Sequence, residues 1–239
     1  MIVKSRLKFR FNLQKEDIDL TYVDMFKGLK PEVLEDLFES MEIRKFPKNK
    51  VIISEKEESK YLYVILDGLV KLYKDLGDER EAVICLRGIR DIIGNTGLFP
   101  DERLHLSVKT VSEIVTVAIP LDLMNEKMKE DFRLAQNFIK ELYRNLDFCS
   151  ERVKELSTED SYSRVAKEIL RFEDYYKIEL RNGTSFNIGI SRTDLASLVG
   201  ISREMASRIM TSFVESDIIE VSGKNITLLD REKLESWEL

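Results

Sequence analysis

The stretch Val199-Gly200-Ile201-Ser202-Arg203-Glu204-Met205-Ala206-Ser207-Arg208-Ile209-Met210 decides how the rest of the chain is read. It places two arginines and a glutamate on a short segment otherwise built from small and apolar residues. Just upstream, Ser191-Arg192-Thr193-Asp194 has the form of a capping box, with Asp in place of Glu. Leu195, Leu198 and Val199 give the helix that follows a buried face. Gly200 breaks it and permits a tight turn, after which Ser202 caps a second helix. On that helix Ala206, Ile209, Met210 and Phe213 fall inward, Arg203, Glu204 and Ser207 fall outward, and Arg208 follows one turn on. Two short helices joined through a glycine turn make a helix-turn-helix, whose second helix is the one that enters the major groove of DNA. That reading accounts for the charges. Arginine donates two parallel hydrogen bonds to guanine O6 and N7, and glutamate accepts from cytosine N4. The bland alternative, a solvated helix face, does not explain why glycine, caps, core positions and charges agree.

Around this motif the chain continues as a winged domain. Tyr162 to about Tyr176 reads as a helix with Val165, Ile169 and Leu170 inward, Arg181-Asn182-Gly183 as a turn, and Phe186–Ile190 as a strand. Asp217–Val221 and Asn225–Leu228 read as a hairpin wing around Ser222-Gly223-Lys224. Lys224 at its tip is a candidate for a phosphate contact, and Arg192, Ser202 and Ser207 are further candidates for DNA binding. The protein's charge of −6 and pI of about 5.2 argue against non-specific coating of nucleic acid, but recognition needs only a few cations on one face.

Further upstream the pattern changes twice. Phe26 to about Met41 has helical spacing. Val51–Ile53, Tyr61–Leu66, Leu69–Tyr73, Ala82–Leu86 and Ser112–Ile119 are short runs rich in β-branched and aromatic residues, with Gly68 and Gly77 as turn candidates. They read as an antiparallel β-roll. After Pro120 the helical period returns. Ala135, Ile139, Leu142, Leu146, Cys149, Val153 and Leu156 are spaced 4, 3, 4, 3, 4, 3, a heptad seam flanked by Lys140, Glu141, Arg144 and Glu151. So narrow a stripe needs a partner. A parallel homodimer is expected, and packing on the chain's own roll is the alternative. Ser157-Thr158-Glu159-Asp160 interrupts the pattern and reads as a hinge. The fold class is therefore α+β, in four parts: an N-terminal arm (1–22) with basic residues between Lys4 and Arg10, a β-roll (23–120), a long dimerisation helix with hinge (121–159) and a winged helix-turn-helix (160–239).

At these residues the chain resembles the cyclic-AMP receptor protein and fumarate-nitrate regulator (Crp/Fnr) superfamily of bacterial transcription factors. The resemblance covers nearly the whole chain, and Ser191-Arg192, Val199-Gly200, Ser202-Arg203-Glu204 and Arg208-Ile209 are its most specific part. It implies that Arg203, Glu204 and Arg208 read base pairs in a TGTGA-like half-site of an inverted repeat. It also implies double-stranded DNA, a second copy of the chain and RNA polymerase as partners. The effector side departs from the pattern. Asp91 to Phe99 corresponds to the entry of the family's phosphate cassette, where cyclic-nucleotide binders carry Gly-Glu-Leu followed by Arg-Ser. Here Gly94 is followed by Asn95 and Thr96, and the loop to Ser107 lacks the Arg-Ser pair, leaving Arg103 as a possible cation. The family's base-contacting Thr-Ser pair falls on Cys149-Ser150. Losing a carboxylate and an arginine from a buried pocket removes charge-assisted hydrogen bonds of about 1.5–3 kcal/mol each. The expected effector is therefore something other than cyclic AMP, or control is effector-independent.

Other readings stay open at this level. Two distant cysteines, Cys85 and Cys149, exclude an iron–sulfur cluster. Haem, for gas or nitric oxide sensing, would have only His105 as histidine ligand, and a redox role for Cys149 would need two copies in disulfide geometry. A ligand-sensing scaffold that contacts protein is less compatible with base-reading residue types at 203, 204 and 208. GxxxxGK[ST], GxSxG and HExxH motifs are absent, which argues against an enzyme. No apolar run approaches a membrane span and the N-terminus lacks a signal-peptide core, so a cytoplasmic protein is expected.

Overall fold

The computed structural model describes residues 13–55, 57, 59–78, 80–98, 106–176, 178–180, 183–187, 190–223 and 225–237. The expected α+β class holds. Two compact units emerge, one of residues 1–75 and 86–148, the other of 76–85 and 149–239. Among the described residues no helix is long and apolar enough to cross a membrane.

The first unit holds β1 (Glu42–Phe46), β2 (Val51–Ile53), β3 (Tyr61–Asp67), β4 (Val70–Asp75), β6 (Ile92–Ile93), β7 (Ser107–Thr110) and β8 (Ile114–Pro120), and β5 (Glu81–Arg87) starts in the second unit and ends in the first. They form two four-stranded sheets in the orders β1-β8-β3-β6 and β2-β7-β4-β5. Antiparallel pairing sets Leu62 opposite Ile119 and Val64 opposite Val117. Strand β3 is apolar on both faces because each face has its own core. Leu62, Val64 and Leu66 join Val115, Val117, Ile119, Leu134 and Phe138. Tyr63 and Ile65 turn the other way, toward Ile53, Val70, Ile93, Val108, Ile114 and Ala118. The two-residue period sends alternate side chains to opposite cores, so the strand reads as a continuous apolar run.

The helix expected from Phe26 is shorter. Asp24–Phe26 is a 3-10 turn and helix α1 spans Pro31–Ser40, with proline in its first turn. The single long helix expected after Pro120 is two helices, α2 (Leu121–Glu130) and α3 (Phe132–Thr158). Asp131 separates them. Its carboxylate accepts the backbone N–H groups of Lys30 and Arg133, both at 2.9 Å. Those two hydrogen bonds hold its carboxyl below the ordinary aspartate range. Aspartate competes with helix continuation by bonding nearby backbone, and here it starts the next helix instead.

Helix α3, 27 residues or about 40 Å long, carries two stripes of heptad spacing. Leu134, Phe138, Glu141, Asn145 and Phe148 are buried or half-buried. Ile139, Leu142, Leu146, Val153 and Leu156 are exposed, Ile139 at 60% and Leu146 at 66%. Phe132, 70% exposed, lies one heptad before Ile139 and extends the stripe to the helix start.

The second unit contains α4 (Ser161–Tyr176), β9 (Ile178–Leu180), β10 (Gly183–Asn187), α5 (Arg192–Val199), α6 (Arg203–Glu215), β11 (Ile219–Ser222), β12 (Asn225–Leu228) and α7 (Arg231–Glu235). Its sheet order is β11-β12-β10-β9. The strand expected at Phe186–Ile190 begins earlier, at Gly183, and residues 188–189 lie outside the described residues. Asp160 caps α4, accepting from Tyr162 N–H at 2.7 Å and Ser163 N–H at 3.0 Å. The residues read as a hinge are thus a helix end and the next helix's cap, whereas the two units divide between Phe148 and Cys149.

Candidate nucleic-acid interface

The helix-turn-helix is built by local rules and then fixed by contacts distant in sequence. Ser191 Oγ accepts from Asp194 N–H at 3.0 Å and donates to the Asp194 carboxylate at 2.8 Å. Helix α5 ends at Gly200 in the left-handed region, φ 68° and ψ 44°, where a β-carbon would lie 2.8 Å from Leu156. Ser202 Oγ accepts from Met205 N–H at 3.1 Å and so caps α6. Ala206, Ile209, Met210 and Phe213 are buried, as the spacing requires. Arg203, Glu204 and Arg208 are exposed, and Ser207 is half-buried beside them. Among the described residues none of these three charged side chains is drawn into an ion pair. Their hydrogen-bonding capacity faces solvent along one side of a rigid helix.

Four further hydrogen bonds, made by three side chains, seat α5 and were not legible in the sequence. Arg152 donates to the Leu198 carbonyl at 3.0 Å, and Arg164 Nε donates to the Val199 carbonyl at 2.9 Å. These are the last carbonyls of a helix with no basic residue of its own in its last turn. Ser197 Oγ accepts from Val83 N–H at 2.8 Å and donates to the Glu81 carbonyl at 3.2 Å. Arg152 belongs to a buried ion cluster with Glu155, Glu168 and Arg171: Arg152–Glu168 is 2.8 Å, Arg171–Glu168 3.1 Å, and Arg171 also pairs with Glu155. Burial pushes the Glu155 carboxyl up, but Arg171 and Arg152 pull harder and leave it below the ordinary glutamate value.

Arg192, at the first position of α5, is half-buried, and desolvation draws its guanidinium below the usual arginine range. The wing is present as β11 and β12, with Val221 opposite Ile226. Lys224 at its tip lies outside the described residues.

The second region of interest is the cassette in the first unit. Gly94 has φ +82°, and a β-carbon there would sit 2.4 Å from the Tyr61 carbonyl oxygen. Asn95 opens a 3-10 turn, Asn95–Leu98. Ser107, expected in a loop, is instead the first residue of β7. It is buried, and its hydroxyl accepts from Glu55 N–H at 3.1 Å. A strand position with a fixed backbone partner makes this serine part of the roll's framework. Behind the cassette, Arg87 donates to Asn145 Oδ1 at 2.7 Å and lies over the Phe148 ring at 5.6 Å. Burial raises the carboxyl of neighbouring Asp91 above the ordinary aspartate range, against the pull of the Gly88 N–H and Arg87.

Residues 43–131 match the model of the cyclic nucleotide-binding domain, and residues 163–237 match the Crp-like helix-turn-helix domain. The chain belongs to the Crp/Fnr superfamily. A Mycobacterium tuberculosis protein described as a CRP-like cAMP-activated global transcriptional regulator is 24% identical over 90% of this chain and 96% of its own. FixK2 from Bradyrhizobium japonicum superposes with a TM-score of 0.72 at 20% identity, over 81% of this chain and 95% of its own. The c-di-GMP-responsive regulator CLP from Xanthomonas campestris gives 0.70 at 21% identity, over 84% and 100%. The protein is thus a Crp/Fnr-type DNA-binding transcription regulator, of a family of regulators and not of enzymes.

Within this Crp/Fnr chain the anticipated residues fall into separate groups. Ser202, Arg203, Glu204, Ser207 and Arg208 share α6 and its cap, with Arg192 at the start of α5. Gly94, Asn95 and Ser107 belong to the first unit, whereas Cys149, exposed, and Ser150 open the second. Arg103 and His105 lie outside the described residues, as does the side chain of Thr96. The arm Lys4–Arg10 lies outside them too.

Proposed function

We propose that the protein acts as a homodimer that reads an inverted repeat with TGTGA-like half-sites. Each protomer lays α6 into one of two major-groove segments about one helical turn apart. Arg203 and Arg208 take guanines by bidentate hydrogen bonds and Glu204 takes a cytosine amino group. Ser202, Ser207, Arg192 and Lys224 hold the sugar–phosphate backbone. The observation that carries this reading is the exposed, unpaired trio Arg203, Glu204 and Arg208 on a helix anchored by four buried apolar residues.

The exposed stripe from Phe132 to Leu156 supports the dimer. Residues 132, 139, 146 and 153 alternate with 135, 142, 149 and 156, two interleaved seven-residue series of the kind that knobs-into-holes packing between parallel helices uses. The effector is a ligand other than cyclic AMP, or binding is effector-independent. Asn95 and Thr96 stand where cyclic-nucleotide binders carry Glu and Leu, and the loop to Ser107 lacks their Arg-Ser pair. The DNA-bound dimer would meet RNA polymerase, as the family membership suggests.

The test is fluorescence anisotropy of a labelled TGTGA-N6-TCACA duplex titrated with the full chain at fixed salt, with and without cyclic AMP. Fixed salt matters because phosphate contacts make affinity salt-dependent. Tight binding that cyclic AMP leaves unchanged is expected. Binding only in the presence of cyclic AMP would overturn the effector reading, and retention of wild-type affinity and specificity by an Arg203→Ala, Arg208→Ala double variant would overturn the base-reading assignment.

A further inference from the structure

Helix α3 carries a third stripe besides the inward face and the exposed apolar one, and it is basic. Arg133, Asn137, Lys140 and Arg144 follow the same 4-3-4 spacing. At 100° per residue their mean direction lies roughly 150° from that of the apolar stripe. A partner helix on the apolar stripe therefore leaves them open. They face the turn at residues 24–28, which Asn137 holds in place by donating its amide to the carbonyls of Met25 at 3.1 Å and Lys27 at 3.0 Å. Between turn and helix is an open cavity of about 440 Å³ lined by Asp24, Lys27, Gly28, Arg133, Asn137, Lys140 and Arg144.

The charge in this cavity does not balance. Its four cations face one carboxylate, Asp24, which is shared between Lys27 and Arg144, the latter at 2.7 Å. Arg144 also reaches Glu141 at 3.5 Å. Among the described residues no ion pair reaches the side chains of Arg133 or Lys140. Surplus positive charge in a concave site, on a protein whose net charge is −6, calls for an anion. The two uncompensated residues are seven positions apart on one helix face, about 10 Å along the axis, a separation that two long side chains close onto a linear anion.

We propose that this cavity binds an oligophosphate, either pyrophosphate or the phosphate chain of a nucleotide. Arg133 contributes a planar fork for two phosphate oxygens, and Lys140 a compact point charge at the other end. The volume is that of a small-ligand site, which favours a small anion over an acidic protein segment spread across a flat surface. All the lining residues come from one protomer and from the first unit, so the site does not depend on the DNA-binding reading.

The experiment is isothermal titration of the full chain with inorganic pyrophosphate at about 150 mM chloride, where distant charges are screened. One saturable site per protomer is expected, weakened at least tenfold in Arg133→Gln and in Lys140→Gln and unchanged in Lys45→Gln, an exposed lysine on β1. Circular dichroism confirms that each variant is folded, and the two single variants guard against a misfolded one. The absence of saturable heat, or binding that survives the double variant, overturns the proposal. Uptake of a poly-glutamate peptide without uptake of pyrophosphate also overturns it, in favour of an acidic protein partner.

Discussion

The recognition helix and the cassette of the roll answer to different physics. Helix α6 is specified within some twenty residues: a glycine in the left-handed region, a serine cap, four inward apolar positions and an outward charged trio. The cassette depends on neighbours far away in sequence, with Gly94 against the Tyr61 carbonyl and Ser107 receiving the Glu55 N–H. Local rules are written in neighbouring residues, so the helix-turn-helix is legible from one stretch of the sequence. A pocket assembled from separated strands can keep its framework while its ligand-contacting residues change. The sequence therefore specifies the helix-turn-helix more directly than it specifies what the roll binds.

Substitutions in each region test this difference. The largest effect is expected from Phe213→Ala, which removes a fully buried ring from beneath the recognition helix. It should destabilise the second unit by about 3–5 kcal/mol in urea denaturation and abolish DNA binding. Next comes Arg152→Met, which leaves Glu168 buried without its 2.8 Å partner and the Leu198 carbonyl without its donor. About 2 kcal/mol is expected, since Glu168 loses the nearer of its two cations and keeps only Arg171 at 3.1 Å. The same cluster sets a pH dependence. The Glu155 carboxyl is held below its ordinary value of 4.5, so its contribution is complete above that value. It disappears as pH falls through the lower folded-state value, and urea midpoints measured across this range in wild type and Glu155→Gln should converge in acid.

Gly94→Ala is the corresponding test in the cassette. The clash with Tyr61 and the left-handed backbone should destabilise the first unit by about 2 kcal/mol in thermal denaturation, whatever the ligand. Arg203→Ala should weaken DNA binding by about 1–3 kcal/mol and relax one base pair, with the melting temperature unchanged because the side chain is exposed. Ser202→Ala comes last, at about 1 kcal/mol of helix stability from loss of one cap. If Gly94→Ala were neutral while Ser202→Ala unfolded the second unit, the contrast between a locally and a distantly specified region would be wrong.

What could be read from the sequence follows the same line. The caps, the glycine, the inward positions of α6 and the exposed heptad stripe are local periodicities and were legible. The break at Asp131 was not, because its carboxylate works through the Lys30 N–H, 101 positions away. Phe132 opens the apolar stripe only once the helix is known to start there, so the sequence alone does not mark it. The inward polar positions Glu141, Asn145, Arg152 and Glu155 look like solvent-facing residues in one dimension. Only folding shows that Arg152 and Glu155 lie in an ion cluster with Glu168 and Arg171. Ser107 reads as a loop residue in the sequence because its strand's pairing with β2 and β4 is non-local.

The arginines on the last carbonyls of α5 bear on how this protein can be cut and recombined. A helix-turn-helix taken from Ser191 to Glu215 would leave behind Arg152 and Arg164, and with them the donors that close its first helix. The transplantable reading head therefore begins no later than Cys149, and it still leaves behind the Glu81 and Val83 backbone groups that hold Ser197. A chimera joined there carries its own end-caps, whereas one joined at Asp160 must find a substitute for Arg152 in its host.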